Sequence, residues 1–167
     1  MSKYFLCSCL FIVLACTQKR PTNLEMEKAF NEVNNEKLWN QLKKMYADDQ
    51  RYRNLMGELD KTAPNYQQKK DSLWALQHEI DNKNTEWMID FTIKYGVPYA
   101  DRTGKPIHAW VIFHHSPKKY HNKIKPLIER EYKAGRIDST SYGLMQWHLA
   151  GRVGIPENTG LQIIDNR

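Results

Sequence analysis

Two long runs of apolar residues at helical spacing constrain this chain more than anything else in it. From Leu24 to Leu59 the apolar positions are Met26, Phe30, Val33, Leu38, Leu42, Met45, Tyr52 and Met56, mostly three or four residues apart, with one step of five and one of seven, or two turns. That spacing lays them along one drifting stripe of an α-helix. Any break in this helix is expected near Ala47. From Tyr66 to Tyr95 a second stripe runs through Leu73, Leu76, Ile80, Trp87, Phe91 and Tyr95. Gly57, Pro64 and Asn65 mark the exit from the first helix. Gly96 and Pro98 end the second, because glycine suits the left-handed residue after a helix end and proline prevents resumption. Two long helices joined by a short connection read as an antiparallel hairpin.

Downstream, Tyr99 to Lys105 reads as a loop. His108 to Ser116 carries conflicting signals. Trp110 to Phe113 is aromatic and β-branched, which favours a strand, whereas Pro106 suits a helix start and Ile107, Trp110, Val111 and His114 fit one helical face. From Lys119 to Lys133 the helical pattern returns through Ile124, Leu127, Ile128 and Tyr132, with Gly135 as its stop and Pro126 either kinking or starting it. Asp138 or Ser139 caps a last helix through Tyr142, Leu144, Met145 and Leu149, ending near Gly151. The residues after Pro156 have few apolar anchors and read as an irregular tail. No internal repeat appears. The expectation is an all-α chain: one domain over residues 24–167, a long antiparallel helical hairpin with three shorter helices packed on it.

The N-terminal residues carry an address. In MSKYFLCSCLFIVLAC a single Lys3 precedes an apolar run from Tyr4 to Ala15. This is the layout of a secretory signal, too short for the roughly 20 residues that span a bilayer. Val13-Leu14-Ala15-Cys16 resembles a bacterial lipobox, which is cut before a cysteine that is then diacylated. Cys9 is a rival position, but too few apolar residues precede it. The expectation is a signal over residues 1–15, lipidation at Cys16 and a tether over residues 16–23, in a protein of the cell envelope held to a membrane by its acyl chains. Cys7 and Cys9 leave with the signal, so the mature chain has no disulfide and no thiol chemistry. A domain of roughly 150 residues then relies on its own core.

The formal charge is +6. Much of the excess lies between His114 and Arg136, where Lys118, Lys119, Lys123, Lys125, Arg130, Lys133 and Arg136 face only Glu129 and Glu131. Lys119, Lys123 and Arg130 are candidates for a surface that meets an anionic partner, such as lipid head groups or a glycan; the plainer reading is a solvated helix face. Nucleic acid is not expected as a partner.

Polar residues interrupt both long stripes. On the first helix Asp49 and Arg53, four apart, stand between Met45 and Met56 and can pair. On the second, Asn84 stands between Ile80 and Trp87, with Asp81 at its edge. A charge facing inward must be paired, because burying it alone costs several kcal/mol. The facing helices can supply one another's partners, and His115 can join them from the third segment. One reading is a structural network that sets helix register. The other is a site in which His115 is a general base or acid oriented by Asp49 or Asp81, Arg53 holds an anionic group and Asn84 donates to a developing oxyanion.

These residues also resemble an uncharacterised family of bacterial domains common among predicted lipoproteins and secreted proteins. Asp49-Gln50-Arg51-Tyr52-Arg53 matches its D-Q-x-x-R element, Asp81 to Asn84 its D-x-x-N, and Tyr95-Gly96-Val97-Pro98 its Y-G-x-P turn. His114-His115 stands where the family has Q-H. The resemblance covers about Leu38 to His148 in that order. It departs in the last helix, where Trp147-His148 replaces an Asp-Arg pair, and in the tail at Gly154 to Gly160. It implies an all-helical fold, which resolves His108 to Ser116 as helix, and it brings no activity with it.

Four of the six histidines fall between His108 and His121. Zinc sites on one helix favour i and i+4, as in H-E-x-x-H, which is absent; only a site drawing His121 or His148 from another segment stays open, and no metal site is assigned. His114 and His121, beside the lysines, read as surface residues that gain charge at mildly acidic pH. Trp39, Trp74, Trp87, Trp110 and Trp147 read as core. No phosphate loop, G-x-S-x-G elbow or calcium loop is present, so no cofactor is expected. Two functions follow: a membrane-anchored binding or assembly module for an envelope protein, glycan or anionic lipid surface, or a metal-independent envelope hydrolase with its site around Asp49, Arg53, Asp81, Asn84 and His115.

Overall fold

The computed structural model describes residues 20–106 and 108–154. The expected signal, Cys16, most of the tether, Ile107 and the tail after Pro156 lie outside those residues. Among the described residues there are seven α-helices, one 3₁₀ turn and no strand. The helices are α1 (Asn23–Asn31), α2 (Asn35–Gly57), α3 (Tyr66–Tyr95), α4 (Ala100–Thr103), α5 (Ala109–His114), α6 (His121–Lys133) and α7 (Ser139–Leu149). None is long and apolar enough to cross a membrane.

The hairpin is α2 against α3. Arg53 meets Asp81, and Asn84 meets Met45, so rising numbers on one helix pair with falling numbers on the other. The expected first helix is broken, but not at Ala47. α1 stops at Asn31, and Asn34 starts α2 by accepting a hydrogen bond from Lys37 N at 2.8 Å. A short amide side chain that bonds the backbone ahead of it ends one helix and caps the next. The step of five between Val33 and Leu38 is where the stripe registers this break. α1 carries a capping box of Thr22 and Glu25 and packs Phe30 edge-on against Phe91 of α3, ring centroids 6.4 Å apart.

α3 has the expected bounds but not the expected inner face. Leu76 is 43% exposed. The buried positions are Gln77, Asp81, Asn84, Thr85, Met88, Ile89, Phe91 and Thr92. The first half of this face is polar because it meets Arg53 and the backbone of α2. The second half is apolar and joins Leu38, Leu42, Met45, Ile112, Phe113, Ile124, Ile128 and Met145 in the core.

α5 lies against α2, α3 and α7. Burial of Ala109, Val111, Ile112 and Phe113 overrides the strand propensity of that run. The expected loop at Tyr99–Lys105 contains the single turn α4, closed by Gly104 in the left-handed conformation. A 3₁₀ turn at Lys118–Tyr120 leads into α6, where Pro126 sits inside the helix on its exposed side. Asp138 caps α7 by accepting from Ser141 N at 2.8 Å. Of the three shorter helices expected on the hairpin, α5 and α6 pack on it, joined there by α1 against α3, whereas α7 packs on α5 and α6 as an outer element. Tyr132 leaves the expected stripe: it is 41% exposed and stacks on Tyr142.

Candidate active site

Asp49 is 1% exposed on the inner face of α2, and the C-terminal end of α5 delivers His115 to it. His115 Nδ1 lies 3.0 Å from Asp49 Oδ1 and 2.8 Å from Oδ2. An ionised carboxylate only accepts, so Nδ1 carries the proton and Nε2 presents its lone pair. Among the described residues Nε2 makes no hydrogen bond, and the ring is 18% exposed in the wall of a cleft. Gln50 Nε2 donates to Asp49 Oδ2 at 2.6 Å. Asp49 is therefore held by several donors and in turn fixes the imidazole's orientation.

Arg53 ties this pair to α3. Its Nη1 and Nη2 donate to Asp81 Oδ1 and Oδ2 at 3.1 and 2.8 Å, and Nη1 also donates to the Asp49 carbonyl at 2.6 Å. Gln77 Nε2 donates to Asp81 Oδ1 at 2.8 Å. A bidentate guanidinium–carboxylate pair is both strong and geometrically specific. Removing one partner from such a half-buried pair typically costs about 3–5 kcal/mol, because a buried charge is stranded. Asp49, Arg53, Asp81 and His115 thus converge as the spacing suggested. Arg53, however, is committed to two aspartates and does not offer a free guanidinium to an anion. Asn84 does not join them: its Nδ2 donates to Met45 O at 3.1 Å, and its side borders a separate groove with Lys44 and Asp48.

The cleft in front of His115 has a volume of about 560 Å³. Arg53, Asp81, Trp74 and His78 form the wall on the hairpin; His115, Ser116, Pro117, Lys118 and Arg152 form the other. Ser116 Oγ is buried and donates to Phe113 O at 2.7 Å, so it is not presented to His115. Behind the cleft, His121 Nε2 and His148 Nε2 both donate to Ser116 O, at 3.2 and 2.9 Å. They clamp the turn that forms the cleft wall.

His114 and His121 are therefore not free surface residues. His114 is half-buried, with Nδ1 3.4 Å from Leu144 O and its ring stacked on Trp147. Burial, then the charges of His115, Arg152 and His148, push its pKa down to about 4. The expected gain of charge at mildly acidic pH does not occur there. His108 is exposed beside Tyr46, away from the cleft. Of the tryptophans, Trp39, Trp87 and Trp110 pack on the core, whereas Trp74 lines the cleft and Trp147 packs on His114. Among the described residues no group of three or more His, Cys, Asp or Glu side chains is arranged to hold a metal ion.

Of the basic candidates, Lys119 and Lys123 are exposed. Arg130 is not a free surface cation: Nε donates to Glu131 Oε1 at 2.7 Å and Nη2 to Thr92 O at 2.6 Å. The pattern of positive residues had hidden a buried acceptor on the same helix.

Trp74, Gln77, His78, Lys118 and Arg152 were not singled out by spacing. Gln77, four residues before Asp81 on one helix face, was the available signal, and Trp74 and His78, four apart, lie within the same helix; Lys118 and Arg152 come from turns that no periodicity marks. No protein-family model matches the chain, and neither curated proteins nor solved structures yield a match.

Proposed function

We propose that this chain is an envelope lipoprotein, anchored through Cys16, whose helical domain hydrolyses a small ligand bound in the cleft by general-base catalysis. One observation carries the reading: the Asp49–His115 pair, with Nδ1 on a buried carboxylate and Nε2 left to a cleft of ligand size. A carboxylate so placed selects the tautomer that can take a proton and stabilises the imidazolium that results. Water is the nucleophile. As its oxygen bonds to the electrophilic atom, its proton moves to Nε2; the bond to the leaving group breaks, and that proton passes to the leaving group. The likeness in motif order to the uncharacterised lipoprotein domains is consistent with such a site and adds no chemistry to it.

The test compares the purified full chain with Asp49→Asn and His115→Gln on p-nitrophenyl acetate across pH. The expected outcome is a loss of roughly 100-fold or more in kcat/KM in both variants. Equal rates in all three folded proteins would sink the proposal.

A second reading, a binding module without chemistry, is favoured by one feature. Among the described residues no hydroxyl is presented to His115, since Ser116 Oγ is turned onto Phe113 O. Ligand binding that survives in both variants, with no turnover in the wild type, would select this reading.

A further inference from the structure

Among the described residues Arg152 is the non-glycine residue with a positive φ, at 61°. The left-handed region crowds an arginine's Cβ, and here the turn that ends α7 holds the backbone through Arg152 N donating to Trp147 O at 2.8 Å. Such outliers persist where surrounding contacts over-determine them, and they cluster at functional sites. The contacts here are specific. Arg152 Nε donates to His148 Nδ1 at 3.2 Å, and its guanidinium sits 5.8 Å from the Trp147 ring centroid. Nη2 also lies 3.4 Å from the carbonyl of His114. His148 accepts at Nδ1 while donating from Nε2 to Ser116 O, so one imidazole orients both the arginine and the cleft wall.

The charges around the cleft are unevenly matched. Arg53 is paired with Asp81 and Asp49. Lys118 and Arg152 line the same cleft, and among the described residues neither forms an ion pair with a carboxylate.

We propose that the ligand of this cleft carries a terminal anionic group, a phosphate or a carboxylate, and that Arg152 and Lys118 clamp it beside His115. The inference rests on the cleft being the functional site and names what the cleft selects. Arg152 supplies a fork pre-set by Trp147 and His148, Lys118 a mobile point charge. The strained backbone at Arg152 is the feature that separates this pair from the other surface cations.

The experiment titrates inorganic phosphate, and separately acetate, into the full chain at constant ionic strength, following the imidazole nitrogen resonances of His115. Wild type is expected to show saturable shifts, stronger with phosphate if the group is a phosphate and no weaker with acetate if it is a carboxylate. Arg152→Gly relieves the positive φ, so its Tm is expected to hold or rise while anion affinity falls at least tenfold. Lys118→Met, at an exposed position, is expected to lose affinity with no change in Tm. The proposal is overturned if neither anion gives a saturable shift, or if both variants bind as the wild type does. It is also overturned if Arg152→Gly melts several degrees lower and Lys118→Met binds normally, which would make Arg152 a structural strut. The hydrolysis reading fails separately. Turnover of neutral p-nitrophenyl acetate that depends on Asp49, without any anion binding, removes only the clamp.

Discussion

His114 shows how far one side chain can be moved from its behaviour in water. Its pKa of about 4 arises first from burial and then from like charge at His115, Arg152 and His148. Burial likewise lowers the pKa of His148, and Arg152 and His121 add to the effect against the carbonyl of Ser116, which opposes it. Both therefore resist protonation in the folded chain and accept it readily in the unfolded one. The sign follows from proton linkage. The unfolded state binds more protons below the ordinary histidine pKa of about 6.5, so stability is full above that pH and falls as pH drops toward 4. For a half-buried group the loss from His114 is on the order of 2 kcal/mol once solvent screening is allowed for. Thermal melts between pH 7 and pH 4 should show the wild type losing several degrees more than His114→Gln. Parallel curves for the two proteins would assign the acid sensitivity elsewhere.

At the scale of elements, the turn after α3 shows why a short motif is tied to a distant residue. Gly96 has φ 76°, and a Cβ there would stand 2.9 Å from both Arg136 Nε and Glu131 Oε2. Glu131 is fully buried on α6, accepts from Val97 N at 2.8 Å and pairs with Arg136 at 2.6 Å. Burial alone would raise its pKa, but the Arg136 hydrogen bond and the Val97 N–H outweigh it and hold the carboxyl below the usual range. The turn is thus a socket for one carboxylate that joins α3 to α6. Gly96→Ala combines a positive φ with a clash against a fixed ion pair, and a loss of roughly 2–4 kcal/mol is expected in denaturant unfolding. A change below 0.5 kcal/mol would mean the pair has room to yield. The same scale explains the polar face of α3. Asp81 and Asn84 are buried because they meet groups on α2, and Gln77, off the apolar stripe, is buried because it donates to Asp81 one turn away on α3.

At the scale of the molecule, the α2–α3 hairpin supplies the carboxylates and Arg53, and α5 with the turn after it lays His115 and Lys118 across them. α6 and α7 hold that turn from behind through His121 and His148. The cleft belongs to this packing and to no single helix. The anchor is a separate matter at the same scale. If Cys16 carries the acyl chains, Cys16→Ser should move the protein from the membrane fraction to the soluble exported fraction, its helical domain still folded by circular dichroism. Retention in the membrane fraction after carbonate washing would overturn the lipoprotein reading.

The helical class, the bounds of α3, the cap of α7 and the pairing of Asp49, Arg53, Asp81 and His115 were legible in the sequence. Each depends on spacing along one helix or on the rule that inward charges find partners. The break at Asn34 was legible only in part, because an amide cap competes with a helical stripe that carries on past it. Tertiary structure alone decided that Arg53 is occupied by aspartates, that Asn84 turns to a backbone carbonyl, that Arg130 serves a buried glutamate, and that Arg152 reaches the cleft. Those outcomes depend on which groups packing brings within about 3 Å of each other. Periodicity reports the face a residue takes, whereas a partner is set by the position and charge of residues many places away in the chain.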